Sequence, residues 1–111
     1  MEVYDIQKIQ LASSWDRSAL ESLLQSQGLR LDHDVETAFG VYETSGEEPK
    51  LVGCGCAAGA LLKCFALLPQ LRGQNLLGRL VSALTQDRFA AGYYDLMVIT
   101  RAPNQTLFVN S

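Results

Sequence analysis

With 111 residues the chain has room for one domain, and 48% hydrophobic against 19% charged residues set aside disordered and fibrous architectures. A formal charge of −3 excludes the broad basic surface that a nucleic-acid binder needs, so any anion site has to be local. The start, MEVYDIQKIQ, lacks the basic residues and apolar run of a secretory signal, so a cytoplasmic location is expected.

Val3, Tyr4, Ile6, Ile9 and Leu11 read as a short opening strand. A helix follows: Asp16 is placed to cap it, Trp15 and Leu20 have the spacing of a hydrophobic staple, and Leu20, Leu23, Leu24 and Gln27 form one face before Gly28 stops it. Glu36 to Glu43 carries Thr, Phe, Val and Tyr and favours a strand, and the polar run from Thr44 to Pro49 is a turn. Lys50 to Ala58 is the returning strand. Its Gly53 and Gly55 weaken it unless something must approach closely. After a tight turn at Ala58–Ala60, Leu61 to Leu68 reads as a third strand covered on both faces, completing an antiparallel meander.

Beyond Pro69 the period changes: Leu76, Leu77, Leu80, Val81 and Leu84 recur at three and four residues, a helix ending near Gly92. Tyr94 to Thr100 is another buried strand, so Leu61 to Thr100 forms a strand-helix-strand crossover with parallel pairing. Pro103 can start a last helix, which the chain would end after about two turns. The strand Tyr94 to Thr100 would then keep an unpaired edge, open to self-association. No run of apolar residues is long enough for a membrane span; the longest apolar-rich stretch, Leu51 to Leu68, is broken by glycines and Lys63.

Cys54, Cys56 and Cys64 with His33 make a nominal zinc set, but no C-x-x-C pair is present, and buried thiols in strands are the expectation. His33, between Asp32 and Asp34, reads as a solvated loop residue, and Glu36 and Glu43 as exposed strand-end carboxylates. Tyr93 and Tyr94 read as packing residues. Lys63 either faces a ligand groove or snorkels at the sheet's edge. No catalytic residue can be assigned.

The turn Pro69-Gln70-Leu71-Arg72-Gly73-Gln74-Asn75-Leu76 carries the chemistry. Lying between an apolar strand and an amphipathic helix, it aims unpaired N–H groups outward at the positive end of a helix dipole, a place for a phosphate. Gly73 lets the main chain approach, Arg72 adds charge, and Asn75 tolerates a positive φ. The other reading is an ordinary strand-to-helix connection that contains a glycine.

The order strand, helix, three-strand meander, basic glycine turn, long helix, strand, short helix resembles the GNAT acyltransferase fold. That family's pyrophosphate signature runs Arg or Gln, two residues, Gly, one residue, Gly or Ala. Gln70 and Gly73 match it and Asn75 departs. From Val52 to Phe108, GCGCAAGALLKCFALLPQLRGQNLLGRLVSALTQ and DLMVITRAPNQTLF resemble the N-terminal region of the citrate lyase ligases. The resemblance implies a GNAT-like mixed sheet in a single domain over 1–111, C-terminally truncated and lacking the usual last strands. It also implies a groove for acetyl-CoA or a CoA-derived prosthetic group. Backbone groups of Phe65, Ala66 and Leu67 would pair the pantetheine amides, Leu71, Arg72, Gly73, Gln74, Asn75 and Leu76 would hold the phosphates, and Asn104 and Phe108 would complete the groove. The complete enzymes of that family use ATP and acetate to acetylate a thiol of citrate lyase's acyl carrier subunit, which makes that carrier a candidate partner. They activate the nucleotide through a His-x-x-His-type motif that these 111 residues lack. GNAT enzymes commonly protonate the leaving thiolate with a tyrosine on the last helix, where this chain has Phe108. A working N-acetyltransferase and a domain that only docks the carrier are the alternatives.

Overall fold

The computed structural model describes residues 4–71, 75–99 and, for the backbone, 106–110. Six strands form one sheet in chain order: β1 (Tyr4–Lys8), β2 (Thr37–Glu43), β3 (Lys50–Ala58), β4 (Leu61–Leu67), β5 (Asp95–Ile99) and β6 (Thr106–Asn110). All neighbours are antiparallel except β4 and β5, which run parallel because the helix α2 (Leu76–Ala90) carries the chain back between them. The helix α1 (Ser14–Ser26) packs on one face of the sheet and α2 on the other.

Two cores follow from the period-two alternation of the strands. Leu20, Leu23 and Leu24 of α1 meet Ala38, Cys54, Cys56 and Ala66. On the opposite face Leu76, Leu80 and Leu84 of α2 meet Val41, Val52, Leu62, Phe65, Leu96 and Val98. Close approach accounts for Gly55 in the middle of β3: a Cβ there would lie 2.7 Å from a Phe65 ring carbon and 2.9 Å from a Leu84 methyl. Glycine is the residue that lets Phe65 and α2 close on the strand.

Helix α1 begins earlier than its apolar spacing suggests. Ser13 is the N-cap, its Oγ accepting from the Asp16 N–H at 3.5 Å, so Asp16 occupies the third helical position, where a carboxylate suits the dipole. Trp15 consequently points outward, 86% exposed, and makes no staple with Leu20. At the other end Gly28, with φ 75°, donates to Gln25 O and Leu29 donates to Leu24 O, the paired bonds of a Schellman stop. Helix α2 ends in the same way at Gly92, whose φ is 100°, with Tyr93 donating back to Arg88 O.

The chain beyond β5 departs from expectation. A strand, not a helix from Pro103, returns antiparallel to β5 with Ile99 opposite Thr106 and Asp95 opposite Asn110. The alternating, β-prone Thr-Leu-Phe-Val-Asn run and an available edge outweigh the helix-starting tendency of the proline. The edge of β5 expected to be open is therefore filled by β6. Nor is β5 buried on both faces: Leu96 and Val98 face α2, whereas Met97 and Ile99 are 36% and 40% exposed, because α1 packs over β3 and β4 and leaves β5 uncovered. Among the described residues no helix is long and apolar enough to cross a membrane.

One buried cation ties the layers together. Arg88, 8% exposed, pairs with Asp87 at 2.7 Å and Glu36 at 3.2 Å, donates to Gly59 O, and lies 5.6 Å from the Tyr93 ring centroid. Glu36 also accepts the Gly59 N–H at 2.6 Å, so the start of β2 and the β3–β4 turn are locked to the end of α2. Tyr94 stacks on Phe89, with centroids 6.0 Å apart. Burial pushes the Asp87 carboxyl up, but the Arg88 hydrogen bond and the charges of Lys8 and Arg88 outweigh it and hold it below the usual carboxylate value. A carboxyl depressed in the folded state adds stability that is present above the unfolded pKa of about 4 and is lost as pH falls through the folded value. Asp87→Asn is therefore expected to lower the unfolding free energy at pH 7, with the gap to wild type closing below about pH 4. Denaturant melts at both pH values check this, and a gap that persists in acid contradicts it.

Candidate functional site

The site begins with a mismatch between β3 and β4. Cys54 pairs with Ala66 and Cys56 with Lys63, so the single residue Gly55 faces two, Cys64 and Phe65. This is a β-bulge, and Cys64 takes the strain, with φ at 57°. As a result consecutive side chains turn to one side. Lys63 and Cys64 both reach the loop after α1, while Phe65 turns to the α2 face.

Parallel pairing covers Leu61 with Met97 and Leu62 with Val98; beyond the bulge, the side of β4 turned toward β5 has no strand partner among the described residues. An open cleft of about 480 Å3 lies beside this part of β4, lined among others by Leu29, Asp32, Lys63, Cys64, Phe65 and Ile99. A 3-10 turn over Pro69–Leu71, closed by the Leu71 N–H on Leu68 O at 2.9 Å, leads from β4 toward the start of α2. There Asn75 sits in the left-handed region at φ 58° with no side-chain cap, and no acidic residue lies in the first turn. Among the described residues, no side chain caps the N-terminal N–H groups of α2, at the end of the cleft strand.

The sequence-predicted residues divide accordingly. Phe65, Ala66 and Leu67 lie on β4 beyond the bulge, with Leu71, Asn75 and Leu76 at the turn into α2. Leu71 and Leu76 are each 2% exposed, so their side chains serve the core and only their backbones face a ligand role. Arg72, Gly73, Gln74 and Asn104 lie outside the described residues. Phe108 is in β6 opposite Met97, on a strand and not on the helix expected for a tyrosine counterpart.

Lys63 is the informative departure. It lines the cleft, as the first of its two readings has it, but as a paired cation, its Nζ 3.0 Å from Asp32 and 2.9 Å from Asp34. These bonds strap the α1–β2 loop across the mouth of the cleft. The Lys63 hydrogen bond holds the Asp34 carboxyl below the usual carboxylate value, and the Asp34 hydrogen bond leads those that hold the Lys63 ammonium above its own. Asp32 and Asp34, absent from the sequence-based site, had a signal in flanking the exposed His33 with alternate carboxylates. What the sequence hid was the lysine across the fold.

Three thiols meet behind the strap. Cys54 and Cys56 are buried and Cys64 half-buried, all free. Cys54 Sγ donates to Cys64 O at 3.4 Å, and Cys64 Sγ lies 3.9 Å from an Asp32 oxygen. A hydrogen bond between Cys56 and Cys54, together with burial, pushes the Cys56 thiol up, and one between Cys64 and Cys56, together with burial, pushes Cys64 up.

No family model matches the chain. It is 34% identical over 92 residues, 83% of its length, to the [citrate [pro-3S]-lyase] ligase of Klebsiella pneumoniae. It is 28% identical over 91 residues to the ligase of the same name from Haemophilus influenzae. The chain spans about a quarter of the length of these relatives, 26% in both cases. Among solved structures, a protein from Exiguobacterium assigned as an acetyltransferase superposes with a TM-score of 0.66 at 13% identity, over 94% of this chain and 80% of that one. N-acetylglutamate synthase from Neisseria gonorrhoeae, solved with coenzyme A and N-acetyl-glutamate, superposes with a TM-score of 0.60 at 16% identity, over 92% and 26%. The fold is the GNAT α/β fold, and in sequence the chain is similar to the citrate lyase ligases.

Removing the strap is expected to free both carboxylates. In Lys63→Met the Asp34 carboxyl should titrate at the ordinary aspartate value, about 4, instead of below it. Carboxyl carbon NMR across an acid titration reads this, and an unchanged Asp34 curve contradicts the ion pair.

Proposed function

We propose that this chain is a GNAT-type domain that binds acetyl-CoA or a CoA-derived prosthetic group, and that in a longer citrate lyase ligase it holds the prosthetic arm of the acyl carrier subunit. One observation carries the reading: a cleft opens beside β4 at Lys63, Cys64 and Phe65, and the start of α2, where Asn75 makes no side-chain cap, follows at the far end of the same strand. The exposed strand edge can pair the amides of a pantetheine arm as an added strand would, and the helix start can take its phosphates. From Leu67 back to Lys63 the edge spans roughly 15 Å, the scale of an extended pantetheine arm. The ligand thiol then falls at the bulge, beside Cys64, Lys63 and Asp32.

The likeness to the ligases supports the prosthetic-group reading over a free-standing amine acetyltransferase. So does chemistry: Phe108 has no hydroxyl to protonate a leaving thiolate, and the nearest ammonium, Lys63, is committed to two carboxylates. Binding without amine acetylation is the expected behaviour.

Calorimetric titration with coenzyme A tests the proposal. Gly73→Asp, which sets a carboxylate on the turn into α2, is expected to abolish binding. Arg72→Ala should weaken it by about tenfold to a hundredfold, the range of one charge-assisted contact. Equal affinities in the three proteins would return the turn to an ordinary connection.

A further inference from the structure

Cys64 and Cys56 are placed to do more than fill the core. They stand on adjacent strands at the bulge, where the register partner of Cys56 is Lys63, the immediate neighbour of Cys64. Their access differs. Cys64 is half-buried and lines the cleft, whereas Cys56 is fully buried behind it. One thiol open to a ligand with a second in reserve is the arrangement of an attacking and a resolving cysteine. Asp32 completes it, with a carboxylate oxygen 3.9 Å from Cys64 Sγ to receive the thiol proton.

We propose that Cys64 and Cys56 form a thiol–disulfide exchange site that reduces the disulfide of a pantetheine-type thiol held in the cleft. The proposal rests on the ligand reading above, which brings a sulfur to the bulge. In the first step the Cys64 proton passes to Asp32, the Cys64 sulfur attacks one sulfur of the bound disulfide, and the departing ligand thiolate recovers that proton. Cys64 then carries a mixed disulfide. In the second step the Cys56 sulfur attacks Cys64, the second ligand thiolate leaves with the Cys56 proton, and a Cys56–Cys64 disulfide remains. Two protein thiols and one ligand disulfide become one protein disulfide and two ligand thiols, with the ligand disulfide as oxidant. Exchange requires a thiolate, and hydrogen bonding with burial keeps the resting thiols protonated. The pair is therefore slow toward disulfides in bulk solution and responds to one held against it.

Intact-mass spectrometry of the full chain, incubated with coenzyme A disulfide and in parallel with glutathione disulfide, tests this. Wild type is expected to lose two thiols and two hydrogens without keeping an adduct, and peptide mapping should find Cys56 joined to Cys64. Cys56→Ser should stop at a single coenzyme A adduct on Cys64, Cys64→Ser should take none, and Cys54→Ser should still form the Cys56–Cys64 bridge, at whatever rate. Because the mapping uses wild type, a variant that fails to fold leaves the test intact. No thiol loss with either disulfide, or a bridge that excludes Cys64, overturns the proposal. Equal rates with the two disulfides would keep the exchanging pair and remove the pantetheine preference, a failure of the ligand reading separable from failure of the thiols.

Discussion

The bulge at Cys64 is the constraint on which the site depends. Two residues of β4 against Gly55 of β3 force one of them into the left-handed region, and a non-glycine residue there costs on the order of 1 kcal/mol or more. The surrounding structure offsets that cost. Cys64 is fixed by the Cys54 thiol on its carbonyl and by its own contacts to Arg30 O and Asp32. Phe65, the other bulged residue, is pressed into the α2 core against a position that has no side chain. The bulge turns Lys63 and Cys64 toward the α1–β2 loop, and the cleft lies beside them.

The rest of the fold fixes the surroundings of that cleft. Arg88 fixes the end of α2 to the start of β2 and to the β3–β4 turn, and thereby the closed end of the cleft where Leu61 and Leu62 still pair with β5. Lys63 fixes the α1–β2 loop over the opposite wall. Both are cations held by two carboxylates, yet they are not equivalent. The side chains of Arg88 and Lys63 are 10% and 15% exposed, but Arg88 has one mostly buried partner, Asp87 at 18%, whereas both partners of Lys63 are about half exposed, so its pairs are the more screened and can yield to a ligand.

Much of this architecture was legible in the residues. The bounds of β3 agree with the run from Lys50 to Ala58, and Gly28 and Gly92 stop both helices where the apolar spacing ends. The strand-to-helix turn was recognised by its glycine and by the change of period. The bulge was not, because no glycine or proline marks it: a cysteine adopts the unusual backbone, and its reason lies in β3 and the α1–β2 loop. Trp15 misled through correct spacing for a staple, while Ser13 took the cap one turn-start earlier. Pro103 misled likewise, since a local helix signal lost to an open strand edge elsewhere in the sheet. In each case a tertiary partner decided against a local preference.

The central claim is that the cleft side of β4 and the start of α2 act together as one ligand site. Amide chemical shifts of the isotopically labelled chain, followed through a titration with coenzyme A, test it most directly. The account predicts saturable shifts at Phe65, Ala66 and Leu67 together with Leu76 and its neighbours, all with one dissociation constant, while the exposed start of α1 around Trp15 stays still. Shifts confined to surface lysines and arginines, or none along β4, would contradict it.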